Sequence, residues 1–202
     1  MKRRSFGRKS GFRDSKLIII ATEGNVTEVE YFEIIKSRFR NSRVHVEILK
    51  RESTSSAPEY VITELDEFKK KYKLKQDDQL WMVIDFDRWG LKKLSEINQL
   101  RKQKDYYFVP STPCFEIWLF LHLFDITEDN SSDLQRKKDI KKEHLKLQKD
   151  KYSVQDYNIS FIAKFIQDGI ARATELDIVS QDWLDTPGTK VYKLAQVLIN
   201  ED

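Results

Sequence analysis

Asp85 and Asp87 close an apolar run, Leu80 to Ile84, in the stretch LWMVIDFDRWG (80–90). Spaced i, i+2, both carboxylates point to one side if the strand persists through them. An earlier apolar run, KLIIIATEG (16–24), ends in Glu23 and Gly24, with Glu28 following in EGNVTE. A third set, Ser111, Thr112 and Glu116, follows the run YYFVP (106–110). Carboxylate oxygens are hard ligands, suited to Mg²⁺, Mn²⁺ or Ca²⁺ rather than zinc. A cluster of them repels itself unless cations fill it. Gly24, with no side chain, lets substrate or backbone approach closely. Asp-x-Asp alone is a weak signal, because acids at strand ends also cap the following helix. Joined with Glu23-Gly24 and Glu116, it points to a divalent-metal centre on Glu23, Asp85, Asp87 and Glu116.

Other phosphate sites do not fit. EGNVTE lacks the lysine and second glycine of a phosphate-binding P-loop, and no G-x-G-x-x-G is present. A receiver-type phosphoacceptor needs a different layout of acids and lysine.

The elements that must position these acids alternate. Strands are expected over 16–24, 44–49, 79–85 and 106–110, the last stopped by Pro110. Helices are expected over 25–40, 57–74 and 91–103, the first with a capping box of Thr27 and Glu30. Alternation of this kind implies an α/β fold, a parallel sheet with helices on both faces. Ligands then bind beyond the carboxyl ends of the strands, where all these acids lie. PCFEIWLFLHLFDI (113–126) reads as a buried helix starting at its proline. Helices are also expected from about Leu134 to Lys149 on the surface or projecting from it, and over 159–177 and 186–200. The expected organisation is a basic arm over 1–16, an α/β core over 17–126 and a helical extension over 127–202.

The totals set bounds. The chain has 202 residues, 40% hydrophobic and 12% aromatic, enough for a sizeable core. Lys and Arg number 36 against 33 acids, so a nucleic-acid surface must come from local clustering, not from overall charge. The arm MKRRSFGRKSGFRDSK is such a cluster, although a solvated tail has the same composition. One cysteine, Cys114, excludes an internal disulfide and multi-cysteine zinc, and fits a reducing, cytoplasmic setting. It sits in an apolar stretch and reads as structural. No apolar run approaches the ~18–20 residues that span a bilayer, so no membrane is expected.

Glu-Gly after the first strand and Asp-x-Asp after the third resemble the Toprim domain of topoisomerases, primases and OLD-family nucleases. IIIATEGNVTEVEYFEIIK (18–36), WMVIDFDRWG (81–90), STPCFEIWLFLH (111–122) and TPGTKVYKLAQVL (186–198) together resemble the RloB-like family, which is Toprim-like and found in bacterial defence loci, often beside an ATPase gene. The resemblance implies a Mg²⁺- or Mn²⁺-dependent nuclease of a phage-defence or abortive-infection system. It implies a nucleic-acid substrate (DNA, tRNA or other RNA) and an AAA- or ABC-type ATPase partner. Glu23 falls on the family's acid–base or metal-binding glutamate, and Asp85 and Asp87 on its metal-binding pair. Phe115, Glu116 and Trp118 fall on its Phe-Glu-x-Trp block, and His122 on the histidine after it. Phe86 and Arg88 depart from the charged pair around the second Asp. Phe86 should pack on the opposite face, and Arg88 could contact a phosphate.

Substrate contacts are expected from Gly24, Glu28, Lys50, Arg51 and Arg88. His122 has two readings. Helical spacing puts position 119 or 120, not 122, above Glu116, so a core histidine competes with a catalytic one. Trp81 and Trp118 read as core, whereas Trp89, beside the acids, could stack on a base. Pro187 and Gly188 read as a turn and cap, or as a backbone anion site at a helix start. Two further function classes stay open: a Toprim-fold regulatory or nucleic-acid-binding subunit that does not cleave, and a metal-dependent enzyme acting on a nucleotide.

Overall fold

Apolar runs such as LIIIA (17–21) and LWMVI (80–84), separated by helical segments, build this fold. A computed structural model describes residues 15–50, 57–86, 89–177 and 186–200. The first half runs β1 (Lys16–Thr22), α1 (Thr27–Arg38), β2 (Val44–Ile48), α2 (Pro58–Lys71), β3 (Gln79–Asp85), α3 (Leu91–Lys104) and β4 (Tyr107–Thr112). It continues as α4 (Glu116–Leu121), α5 (Glu128–Ser131), a 3₁₀ turn, α6 (Lys137–Tyr152), α7 (Ile159–Ile162), a second 3₁₀ turn, α8 (Ile166–Leu176), β5 (Gly188–Thr189) and α9 (Val191–Asn200). The sheet order is β2-β1-β3-β4-β5, with β5 antiparallel to β4 and every other pairing parallel. The α/β class is as expected. In this order the crossovers change direction between β1 and β3, which is where a doubly wound sheet opens a crevice.

Alternation along the strands sorts the core into two layers. Leu17, Ile19 and Ala21 of β1, with Leu80, Met82 and Ile84 of β3, pack under α2 and α3 against Val61, Leu65, Leu94 and Ile97. Ile18, Ile20, Trp81, Val83 and Val109 face the other way, toward α1, α4 and the helices that follow. Asp85 has the parity of Trp81 and Val83. Its side chain is therefore delivered to the face that α1 and α4 cover.

Several expected boundaries move, each for a local reason. β4 runs through Pro110 to Thr112 rather than stopping. The carbonyl of Pro110 accepts the Lys190 amide at 2.9 Å on the β5 side. The proline's missing N–H faces that same side, so no bond to β3 is lost. The helix expected from Pro113 starts only at Glu116 and ends at Leu121. Residues before it are held by β3 instead: the Phe86 amide donates to the Ser111 and Pro113 carbonyls at 2.9 and 3.1 Å. The Thr27–Glu30 capping box is not formed, and Val26 stands at the N-cap. A capping box forms instead at Thr127 and Asn130. The helix expected from 186 is a two-residue strand followed by α9, whose Val191 amide is capped by Thr189 Oγ1 at 3.1 Å. Thr189 and Lys190 are buried there, which removes the helix start as an open anion site.

α6 covers the core rather than projecting, with Ile140, His144 and Gln148 buried. Behind β5, Lys190 and Asp177 form a buried ion pair at 2.7 Å, joined by the Tyr192 hydroxyl at 2.8 Å. Burial pushes the Asp177 carboxyl up, but Lys190, Tyr192 and Lys193 outweigh it and hold the group below its ordinary range. None of the helices of the described residues is long and apolar enough to cross a membrane.

His122 is fully buried. Its Nδ1 donates to the Trp118 carbonyl at 2.8 Å, and its Nε2 accepts from the Tyr31 hydroxyl at 3.1 Å. Burial lowers its pKa to about 4, so the ring is neutral. Between the two readings of His122, the structure places it as a satisfied core histidine at the α1–α4–α8 junction. Gly169 of α8 makes room for it: a methyl there would meet Nδ1 at 2.9 Å. Gly169→Ala gains roughly 1 kcal/mol of helix propensity but forces a ring held from both sides, at about 1–3 kcal/mol. A net loss of up to about 2 kcal/mol in urea unfolding is expected. Equal or greater stability would show that the ring yields freely.

Candidate active site

The end of β1 and the end of β3 meet through one carboxylate. Glu23 is almost fully buried. Its Oε2 accepts the Asp85 amide at 3.1 Å, and its Oε1 accepts the Trp89 indole N–H at 3.0 Å. Its own amide bonds to the Val83 carbonyl at 2.9 Å, extending the ladder by one residue. Trp89 is thus bound to Glu23, and with Phe86 it packs against the α2–α3 layer. It orients the acid instead of standing free to stack on a base, and Phe86 takes the face that the sequence assigns to it.

Asp85 Oδ1 accepts the Phe115 amide at 2.8 Å, which ties β3 to the start of α4. Glu116 begins that helix and is wholly buried. Glu28, the second residue of α1, is also buried, and its carboxylate lies directly on Gly24. A side chain at position 24 would require the Glu28 carboxylate to move aside, so the glycine lets that carboxylate lie against the backbone. Glu28, expected to contact substrate, is instead a member of the acid cluster.

Electrostatics bind the four acids into one unit. Burial first, and then the charges of Glu28, Glu23 and Glu116, push the Asp85 carboxyl well above the usual range. Burial also raises Glu28, with Glu116 adding to it and Lys137 and Lys141 opposing. The opposing cations come from α6. Lys137 Nζ lies 2.9 Å and Lys141 Nζ 3.3 Å from Glu116 Oε1. Burial works against the charged form of Lys137, but Glu116, Glu28 and Asp85 outweigh it and raise its pKa. Glu116 Oε2 has no hydrogen-bond partner, nor has the buried Tyr157 hydroxyl, whose pKa is raised by burial and then by Glu116. Burial, Glu116 and Asp85 push the Cys114 thiol far up, so no thiolate nucleophile is available there.

Lys137 and Lys141 are the site residues that sequence reasoning missed. They lie i, i+4 around Ile140, on the side of α6 that also carries His144 and Gln148, but a run of lysines does not by itself show which of them lie over the acids. Of the other expected residues, Lys50 reaches Glu33 of α1 at 3.8 Å and makes no ion pair with the acid cluster. β3 ends at Asp85. Asp87, Arg88, Arg51 and the arm over 1–14 lie outside the described residues.

The donor set suits a hard cation. Its oxygens are carboxylate, and Glu116 Oε2 is buried without a donor. Among the described residues, however, no group of three or more His, Cys, Asp and Glu side chains is already arranged to hold a metal. Hydrogen bonds to Glu23 and Asp85 and the lysines at Glu116 hold these groups in other arrangements. A hollow of about 630 Å³, lined by Lys36, Phe39, Arg40 and His45, sits by α1 and β2, away from the acids.

Residues 18–198 match the model of the RloB-like protein family. No curated protein and no solved structure matches the chain.

A buried acid with a raised pKa binds its proton more tightly in the folded chain, so stability falls as pH rises from the unfolded value, ~3.9, through the folded one. Asp85→Asn keeps an acceptor for the Phe115 amide and removes the charge. In EDTA it should gain about 1–2 kcal/mol of unfolding free energy near pH 8, with the gain vanishing toward pH ~4. A pH-independent difference in urea unfolding would contradict the repulsion described here.

Proposed function

The chain belongs to the RloB-like family, and we propose that it is a divalent-metal-dependent nuclease centred on Glu23, Asp85 and Glu116. The observation that carries this reading is the meeting of Glu23 and Asp85 at the switch point of the sheet, with Glu28 and Glu116 coupled to them. Buried, mutually repelling carboxylates cost stability. A cation-dependent task at that place accounts for them.

A phosphodiester is anionic and resists nucleophiles. Mg²⁺ or Mn²⁺ held by Asp85, Glu116 and Asp87 would supply charge neutralisation and an activated water. The chain's own groups do the rest. Glu23, fixed by two N–H donors, is oriented to accept a proton or complete the ligand set. Asp85, fixed through Oδ1, keeps a second carboxylate oxygen that would serve as a ligand. Lys137 and Lys141 bring positive charge to the same point, where a scissile phosphate is stabilised. The phase-of-action part of the reading, anti-phage defence under an ATPase partner, rests on the family resemblance. It fits a nuclease that would harm its host if always active.

One observation favours a second reading. The lysines already neutralise Glu116 without a metal, as a non-cleaving regulatory or nucleic-acid-binding subunit would allow.

The test is incubation of purified protein with plasmid, single-stranded DNA and total tRNA, in Mg²⁺, Mn²⁺ or EDTA, alone and with the neighbouring ATPase. Cleavage that needs metal is expected, with a fall of at least about 100-fold in Glu23→Gln and Asp85→Asn. Absence of cleavage with the ATPase present would favour the second reading.

A further inference from the structure

α6 carries seven lysines against three acids over its 16 residues. Its two faces differ. On the inner face Lys137 and Lys141 reach Glu116 at the carboxylate cluster. On the outer face Lys138, Lys142 and Lys149 are exposed and make no ion pair among the described residues. Two of the helix's acids are already matched: Asp139 by Arg136 at 2.6 Å and Glu143 by Lys146 at 3.1 Å. Positions 138, 142 and 149 fall i, i+4, i+11, a single line of ammonium groups ~16 Å long.

Other basic clusters sit at the wrong end. Lys69, Lys70 and Lys71 close α2, and Arg101, Lys102 and Lys104 close α3. These helices return the chain to the amino ends of the strands, so their last turns lie at the rim opposite the acids. Their cations also suit a helix C-terminus. On α6 the lysines begin in the first turn and continue through the helix, so the helix dipole does not account for them.

We propose that the outer lysine line of α6, Lys138, Lys142 and Lys149, binds the phosphate backbone of a polynucleotide and leads it to the carboxylate cluster. The occupant follows from charge complementarity and from continuity with Lys137 and Lys141. A polyanion lying along this line comes, at the inner edge of the same helix, to the acids of the crevice. The inference rests on the nuclease reading for the destination of the strand, but binding along α6 does not require cleavage.

The experiment is fluorescence anisotropy of labelled single-stranded DNA, duplex DNA and RNA of equal length, in EDTA, at 50 and 200 mM salt. Wild type is compared with Lys138→Glu/Lys142→Glu/Lys149→Glu and, as a control of equal charge change, with Lys69→Glu/Lys70→Glu/Lys71→Glu. The α6 variant should bind at least 10-fold more weakly, while the control stays within about threefold of wild type. Between the two salts, wild-type affinity should fall more than that of the α6 variant by about 20-fold on single strands and about 40-fold on duplex DNA, the effect of three phosphate contacts. Circular dichroism and thermal melting check that both variants fold. No binding by wild type, an α6 variant that binds like wild type, or equal losses in both variants would each overturn the proposal. Binding along α6 without cleavage in any metal would leave it standing and remove the nuclease reading. Cleavage with an unaffected α6 variant would do the reverse.

Discussion

Buried like charge is the constraint on which the rest of this structure turns. Glu23, Glu28, Asp85 and Glu116 come from four different elements and meet where β1 and β3 diverge. Charges taken out of water cost several kcal/mol each unless they are paired or neutralised. The chain meets that cost locally in three ways. Backbone and indole N–H groups donate to Glu23 and Asp85. Two lysines reach Glu116. The Asp85 and Glu28 carboxyls shift toward their protonated forms.

These local answers depend on distant packing. α4 can present Glu116 because its six residues are all buried, fixed by Tyr31, Phe115 and the neutral His122. Arg172 of α8 closes the far end of α4 by donating to the Leu121 and His122 carbonyls at 2.9 and 3.0 Å. α6 can offer Lys137 and Lys141 because Ile140 and His144 anchor it beneath them. β5 is held by the buried Ser111–Thr189 hydroxyl pair at 2.8 Å and by Lys190–Asp177. Ser111 is the register partner of Asp85. The terminal segment therefore braces the strand beside the acids.

Much of this was legible in the sequence, for physical reasons. β3 matches its expected span, 79–85, because a run buried on both faces and flanked by polar residues has one way to sit in a parallel sheet. Glu23 and Asp85 meet, as the alternation implies, because strand carboxyl ends share one rim. What was not legible depends on tertiary contacts. Two-residue β5 has no local signature and exists because β4 offers an edge. Pro110 reads as a stop unless one knows which side its missing N–H faces. That Trp89 serves Glu23, one of several roles open to a tryptophan beside the acids, shows only once Glu23 is seen to accept its N–H. Lys137 and Lys141 look like any solvated lysines until α6 is docked on α4, since a charge run carries no information about what lies under it.

The central claim is that the acids at the switch point hold a divalent cation. Titration of Mn²⁺ into the full chain, followed by loss of the free-ion electron paramagnetic resonance signal, tests it most directly. It needs no substrate, no ATPase partner and no turnover. A cation centre predicts saturable binding that Mg²⁺ displaces and that both Asp85→Asn and Glu23→Gln weaken by about tenfold or more. Absence of saturable binding, or binding unchanged in both variants, would contradict it and leave the carboxylates as a lysine-neutralised structural cluster.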